Sequence, residues 1–182
     1  MLITVTRINT KRYATIVERD DGVRLSVPGY GFMRALPHDL AHYVVETALG
    51  LQPGFWGSVA DGARFSGMNL IDGRQKPHAD ERAKAVGKAN AAYLGEAEKL
   101  VAGFEAIVGG SLDRNQQRAE ARLKEASASV RHPARRIGRA DIVALCAAWR
   151  AMQSRWDDLP IHDFIGVEWR HAIRRAGRHH RR

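Results

Sequence analysis

The chain opens with apolar and polar residues in alternation and later changes to a helical period. LITVTRI and RYATIVE are rich in β-branched and aromatic side chains, and in VRLSV the residues Val23, Leu25 and Val27 alternate with Arg24 and Ser26. This two-residue period predicts three half-buried strands. Asp20-Asp21-Gly22 before the third run supplies the positive φ angles that a tight hairpin needs. Pro28, Gly29 and Gly31 close the region, and Pro37 opens a helix with Leu40, Tyr43, Val44 and Ala48 on one stripe and a cap at Gly50. From Gly50 to Pro77 six glycines fall in 28 residues. That density predicts loops and at most one short helix, within FWGSVADGA, anchored by Phe55, Trp56 and Phe65.

Beyond Pro77 the pattern Val86, Tyr93, Ala97, Leu100, Val101, Phe104 and Val108 predicts one helix of about thirty residues, stopped by Gly109-Gly110. Leu112, Gln116, Ala119, Leu123, Ala126 and Val130 then recur at alternating spacings of four and three, a narrow coiled-coil-like seam. The short connection predicts an antiparallel helical hairpin over residues 80–130. After the basic linker RHPARRIGR, a further helix puts Ile142, Leu145, Cys146, Trp149, Met152 and Trp156 on one face and ends at Asp157, Asp158 and Pro160. Ile165, Val167 and Trp169 alternate with polar or small residues and read as a closing strand that rejoins the N-terminal sheet. The expected fold class is α+β, a small antiparallel sheet packed on helices. Residues 1–169 make one domain, and residues 170–182 a basic tail.

A length of 182 residues suits that single domain. The net charge of +9 does not describe the domain, because the last thirteen residues hold six arginines and no acid. Residues 1–110 are close to neutral, with 13 basic and 12 acidic side chains. A second excess lies in the middle of the chain, where Arg114, Arg118 and Arg122 follow at four-residue steps and Arg135 and Arg136 continue the charge. With Arg174 and Arg175 of the tail, these residues are candidates for contact with nucleic acid or another polyanion. No zinc-finger spacing or aromatic sheet signature accompanies them, so such binding would be blind to sequence. The Leu112/Leu123 seam is a candidate surface for a homo-oligomer. One cysteine, no secretory signal and no apolar run of membrane-spanning length point to a soluble cytoplasmic protein.

The chemistry is concentrated in PHDLAHYVVE. His38 and His42, four residues apart, share a helix face and can bind one zinc-like divalent cation. Zinc hydrolases carry a glutamate after the first histidine as general base; Asp39 stands there, one methylene shorter. Asp39 and Glu46 are the candidate catalytic residues, and Glu46, His78 and His162 the candidates for a third ligand. Glu46 lies about 12 Å along the axis from His38, so these two and His42 cannot share an ion on a straight helix. The positive end of the helix disfavours protonated His38. A solvated polar face would produce the same pattern. GFWGSVADGA lacks the Gly-Lys-Ser/Thr ending of a phosphate loop, and its glycines read as turn and packing residues.

PHDLAHYVVE followed by GFWGSVADGA resembles a group of uncharacterised bacterial proteins with an N-terminal hairpin ending near DDGV, a Pro-His-Asp-Leu-x-His helix and a Gly-Phe-x-Gly segment. The resemblance spans residues 13–68 and implies that Pro37–Glu46 and Gly54–Gly62 form a unit. It implies no activity. Two functions remain: a non-enzymatic binding or regulatory module with an anionic partner, or a metal-dependent, hydrolase-like enzyme built on the His38/His42 helix.

Overall fold

Alternation along the strands becomes two buried rows in the sheet. The computed structural model describes residues 1–29, 36–74, 77–108, 121, 125 and 137–170. Within it β1 (Leu2–Arg7), β2 (Tyr13–Glu18), β3 (Arg24–Pro28), β4 (Asn69–Asp72) and β5 (Phe164–Glu168) form an antiparallel sheet ordered β4-β3-β2-β1-β5. The register aligns Val167, Ile3, Val17 and Leu25 in one row and Ile165, Val5, Thr15 and Val27 in the next. All eight side chains are buried, and Thr15 is the one polar member. Each aliphatic side chain so buried contributes about 1.5–3 kcal/mol of transfer free energy.

Five helices complete the described fold: α1 (His38–Leu49), α2 (Phe55–Ala60), α3 (Ala79–Ala89), α4 (Ala91–Val108) and α5 (Arg139–Asp157). The architecture is α+β, as the alternation of periods predicts. α1 packs against both α4 and α5. It therefore buries more than one stripe: Leu40, Ala41, Val44, Val45 and Leu49 are all inaccessible. Gly50 ends α1 in the left-handed region at φ 66°, where a side chain would be strained. On α5 the six predicted core positions are all buried. The Asp141 carboxylate accepts a 2.8 Å bond from the Gly138 N–H and closes the start of that helix. No helix among the described residues is long and apolar enough to cross a membrane.

Two expectations are corrected. Residues 69–72 form the edge strand β4, not a loop; all four are exposed, so NLID has no buried alternate positions to betray a strand. The thirty-residue helix is two helices divided at Asn90, whose N–H bonds Val86 O at 3.0 Å while its own carbonyl accepts from Leu94 N at 2.9 Å. The Asn90 amide also donates to Ser58 Oγ at 3.1 Å, fastening the break to α2. With Ala83 its one buried residue, α3 has little apolar surface to hold it in line with α4. The second arm of the expected hairpin, residues 112–130, lies outside the described residues except for Ala121 and Glu125.

Candidate metal centre

α1 and α4 bring together two histidines and a glutamate that are distant in sequence. His38 and His42 occupy successive turns of α1, their rings 4.7 Å apart and nearly perpendicular. Glu98 faces them from α4. His42 Nε2 lies 3.2 Å from His38 Nε2 and 3.4 Å from Glu98 Oε1, and His38 Nε2 lies 3.7 Å from Glu98 Oε2. Two ligands held about 2.0–2.1 Å from a tetrahedral zinc stand roughly 3.3 Å apart. The three separations bracket that value. Among the described residues His38, His42 and Glu98 are the group whose donor atoms converge in this way.

The opposite ring nitrogens meet carboxylates. His42 Nδ1 is 2.9 Å from Glu46 Oε1, and His38 Nδ1 is 3.4 Å from Glu105 Oε1. In the neutral rings a proton on each Nδ1 donates to its carboxylate and leaves each Nε2 lone pair aimed at the cluster, the arrangement that fixes histidine ligands in metalloproteins. Glu98 and Glu105 are seven residues apart on α4 and so share one face, with the buried Val101 between them.

Glu46 is held as firmly as it holds His42. It is fully buried, and its Oε1 and Oε2 accept the N–H groups of Phe55 and Trp56 at 2.7 and 3.0 Å. Those are first-turn amides of α2, which lack partners within their own helix. The left-handed turn at Gly50 brings the chain back, so the end of α1 caps the start of α2. Gly54 is the residue that allows the approach, since a Cβ there would lie 2.5 Å from Glu46 Cδ. The Trp56 indole N–H donates to the Asp39 carbonyl at 3.0 Å and locks the two helices together. Phe55 covers one side of His42, the ring centroids 5.2 Å apart.

The surrounding carboxylates favour the protonated form of both histidines. Hydrogen bonding to Glu105 and Glu98 pushes His38 up to about 10, which reverses the neutral state expected from its place at the helix start. Burial pulls His42 down, but bonding to Glu46 and Glu98 outweighs it and leaves the group at about 8. Glu98 is held far below the usual carboxylate range by the two histidines. Burial raises Glu46 and Asp39.

Asp39 lies outside the cluster. Its side chain turns into the sheet, where Oδ2 accepts a 2.6 Å bond from Thr15 Oγ1. Glu46 is bonded to His42 Nδ1 and to two backbone N–H groups and does not join the cluster. His78 is paired with Glu81 at 3.0 Å on the surface, and the His162 N–H bonds Arg7 O at 2.7 Å on the approach to β5; neither joins the cluster. Glu98 and Glu105 were not expected from the sequence; their seven-residue spacing on a predicted helix was the available signal. Arg114, Arg118, Arg122, Arg135, Arg136, Arg174 and Arg175 lie outside the described residues.

No protein-family model, curated protein or solved structure matches this chain.

Proposed function

We propose that this protein is a metal-dependent, hydrolase-like enzyme that binds one zinc-like divalent cation through His38 Nε2, His42 Nε2 and the Glu98 carboxylate. The observation that carries the reading is the convergence of three acceptors. When both rings are neutral with Nδ1 donating to Glu46 and Glu105, the cluster presents two imidazole lone pairs and a carboxylate within 3.2–3.7 Å and no donor. One cation satisfies all three. Two histidines and one carboxylate is also the ligand set of several catalytic zinc sites.

Accessibility favours catalysis over a structural role. The His42 side chain is 2% exposed, whereas His38 and Glu98 are 50% and 56% exposed. The centre thus has a protein wall on one side and solvent on the other, and catalytic zinc sites keep a coordination position for water or substrate. A cation held there would lower the pKa of bound water or polarise a carbonyl or phosphoryl oxygen.

Metal analysis of tag-free protein tests the binding step. About one equivalent of metal, lost in His42→Ala and Glu98→Ala variants of unchanged secondary structure, is the expected result. Sub-stoichiometric metal indifferent to both substitutions would sink the proposal. Cobalt substitution tests the open position: a visible spectrum that changes with pH as bound water ionises supports it, and an invariant tetrahedral spectrum removes the enzymatic part.

A further inference from the structure

A second feature, away from the metal centre, has the marks of a ligand site. A cleft of about 400 Å³ is lined by the β2–β3 turn, the segment after α2, β4 and one face of α3. That volume lies within the range of small-molecule sites. Arg19, Arg64, Arg74 and Arg82 all line it, faced by two acids, Asp21 and Asp61. The described residues of its walls thus carry an excess of two positive charges.

The arginines are only partly engaged. Arg19 binds Asp21 through Nε at 3.1 Å and also through Nη2. Arg64 Nη2 meets Asp80, an exposed residue outside the cleft lining, and Arg82 Nη1 donates to the Pro77 carbonyl. Among the described residues Arg74 pairs with no acid. A guanidinium has five N–H donors in a rigid fork, so most of these donors remain to meet a ligand. Val23, Leu70, Ala85 and Val86 supply apolar wall, and among the described residues no aromatic ring lines the cleft to stack on a nucleobase. Arginine forks match the oxygens of a phosphoryl group.

We propose that this cleft binds a small organic phosphate, its phosphoryl group held by Arg64, Arg74 and Arg82 and its aliphatic part lying against Val23, Leu70 and Val86. The proposal is independent of the metal centre, none of whose residues lines the cleft. Calorimetry on full-length protein stripped with EDTA tests it, with glucose 6-phosphate, glycerol 3-phosphate, inorganic phosphate and glucose as probes.

The expected result is saturable, one-to-one binding of at least one organic phosphate, tighter than inorganic phosphate and absent for glucose. Arg74→Glu/Arg82→Glu should weaken it about tenfold or more, the weight of one charge-assisted contact. Both residues are exposed, so the core is spared; should the double reversal unfold, Arg74→Gln/Arg82→Gln must show the same loss. His38→Ala/His42→Ala should bind as the parent does. Three results overturn the proposal. They are no saturable binding below about 10 mM, equal affinity in the arginine variants, which would place the anion elsewhere on the basic chain, and loss in the histidine variant, which would place it at the metal centre.

Discussion

Replacing Glu46 by glutamine separates a charged, organising carboxylate from a merely buried polar side chain. The native group accepts three bonds: His42 Nδ1 and Phe55 N on Oε1, and Trp56 N on Oε2. A glutamine has one oxygen and one NH2. With its oxygen at the Oε1 position, the NH2 confronts the Trp56 N–H. Flipped, the NH2 confronts Phe55 and invites His42 Nδ1 to accept, which moves the imidazole proton to Nε2 and spoils the ligand. Either way one buried backbone N–H is orphaned, at about 1–3 kcal/mol, and the remaining bonds lose their charge assistance. The expected destabilisation is roughly 2–4 kcal/mol in a domain whose total is about 5–15 kcal/mol. At about 2–4 °C per kcal/mol for a chain of this size, Tm should fall by roughly 4–16 °C. Metal affinity should drop about 10–100-fold, as for other partners of ligating histidines. Calorimetric melting and chelator competition give the two numbers. A Tm within a degree of the parent and an unchanged affinity would mean that Glu46 is already neutral, and the proposed tautomer of His42 would be wrong.

Three further substitutions or conditions test neighbouring links. Gly54→Ala places a Cβ against the Glu46 carboxylate, 2.5 Å from Cδ, and should cost about 1–3 kcal/mol by overpacking; a urea midpoint equal to the parent's would show that the carboxylate moves freely. Thr15→Val keeps the shape of the sheet row but removes the 2.6 Å donor to buried Asp39, a loss of about 1.5–3 kcal/mol at unchanged denaturant slope; no change would show that Asp39 is satisfied without it. The pH dependence should differ between metal-free and metal-loaded protein. In the metal-free fold His42 and His38 are raised from 6.5 to about 8 and about 10, so their contribution to stability is complete below pH 6.5 and is lost as pH rises through those values. Metal needs the neutral rings, so its affinity rises over the same window. The gap in Tm between zinc-loaded and EDTA-treated protein should therefore widen from pH 6 to pH 9; a constant gap would mean that the histidines are not the ligands.

The elements that could be read from the chain are those whose burial follows a period. The rows through Ile3, Val17 and Leu25 and the six core residues of α5 are buried because one face of each element meets the core, and such faces repeat every two or about 3.6 residues. β4 is missing from that reading because an exposed edge strand buries no alternate residue. The break at Asn90 is missing because it is fixed by a bond to Ser58, 32 residues earlier. The metal centre divides in the same way. His38 and His42 are legible because a helix converts a spacing of four into proximity. Glu98 and Glu105 reach them only through the packing of α4 on α1, and no local spacing encodes that contact. Asp39 is the converse case, since its position matches a motif while its side chain is bonded by Thr15 in a neighbouring layer. Local periodicity thus locates a candidate ligand pair, but the carboxylate that faces the pair is a property of tertiary packing. Glu46, on the same helix as the histidines, meets the opposite ring nitrogen of His42 instead.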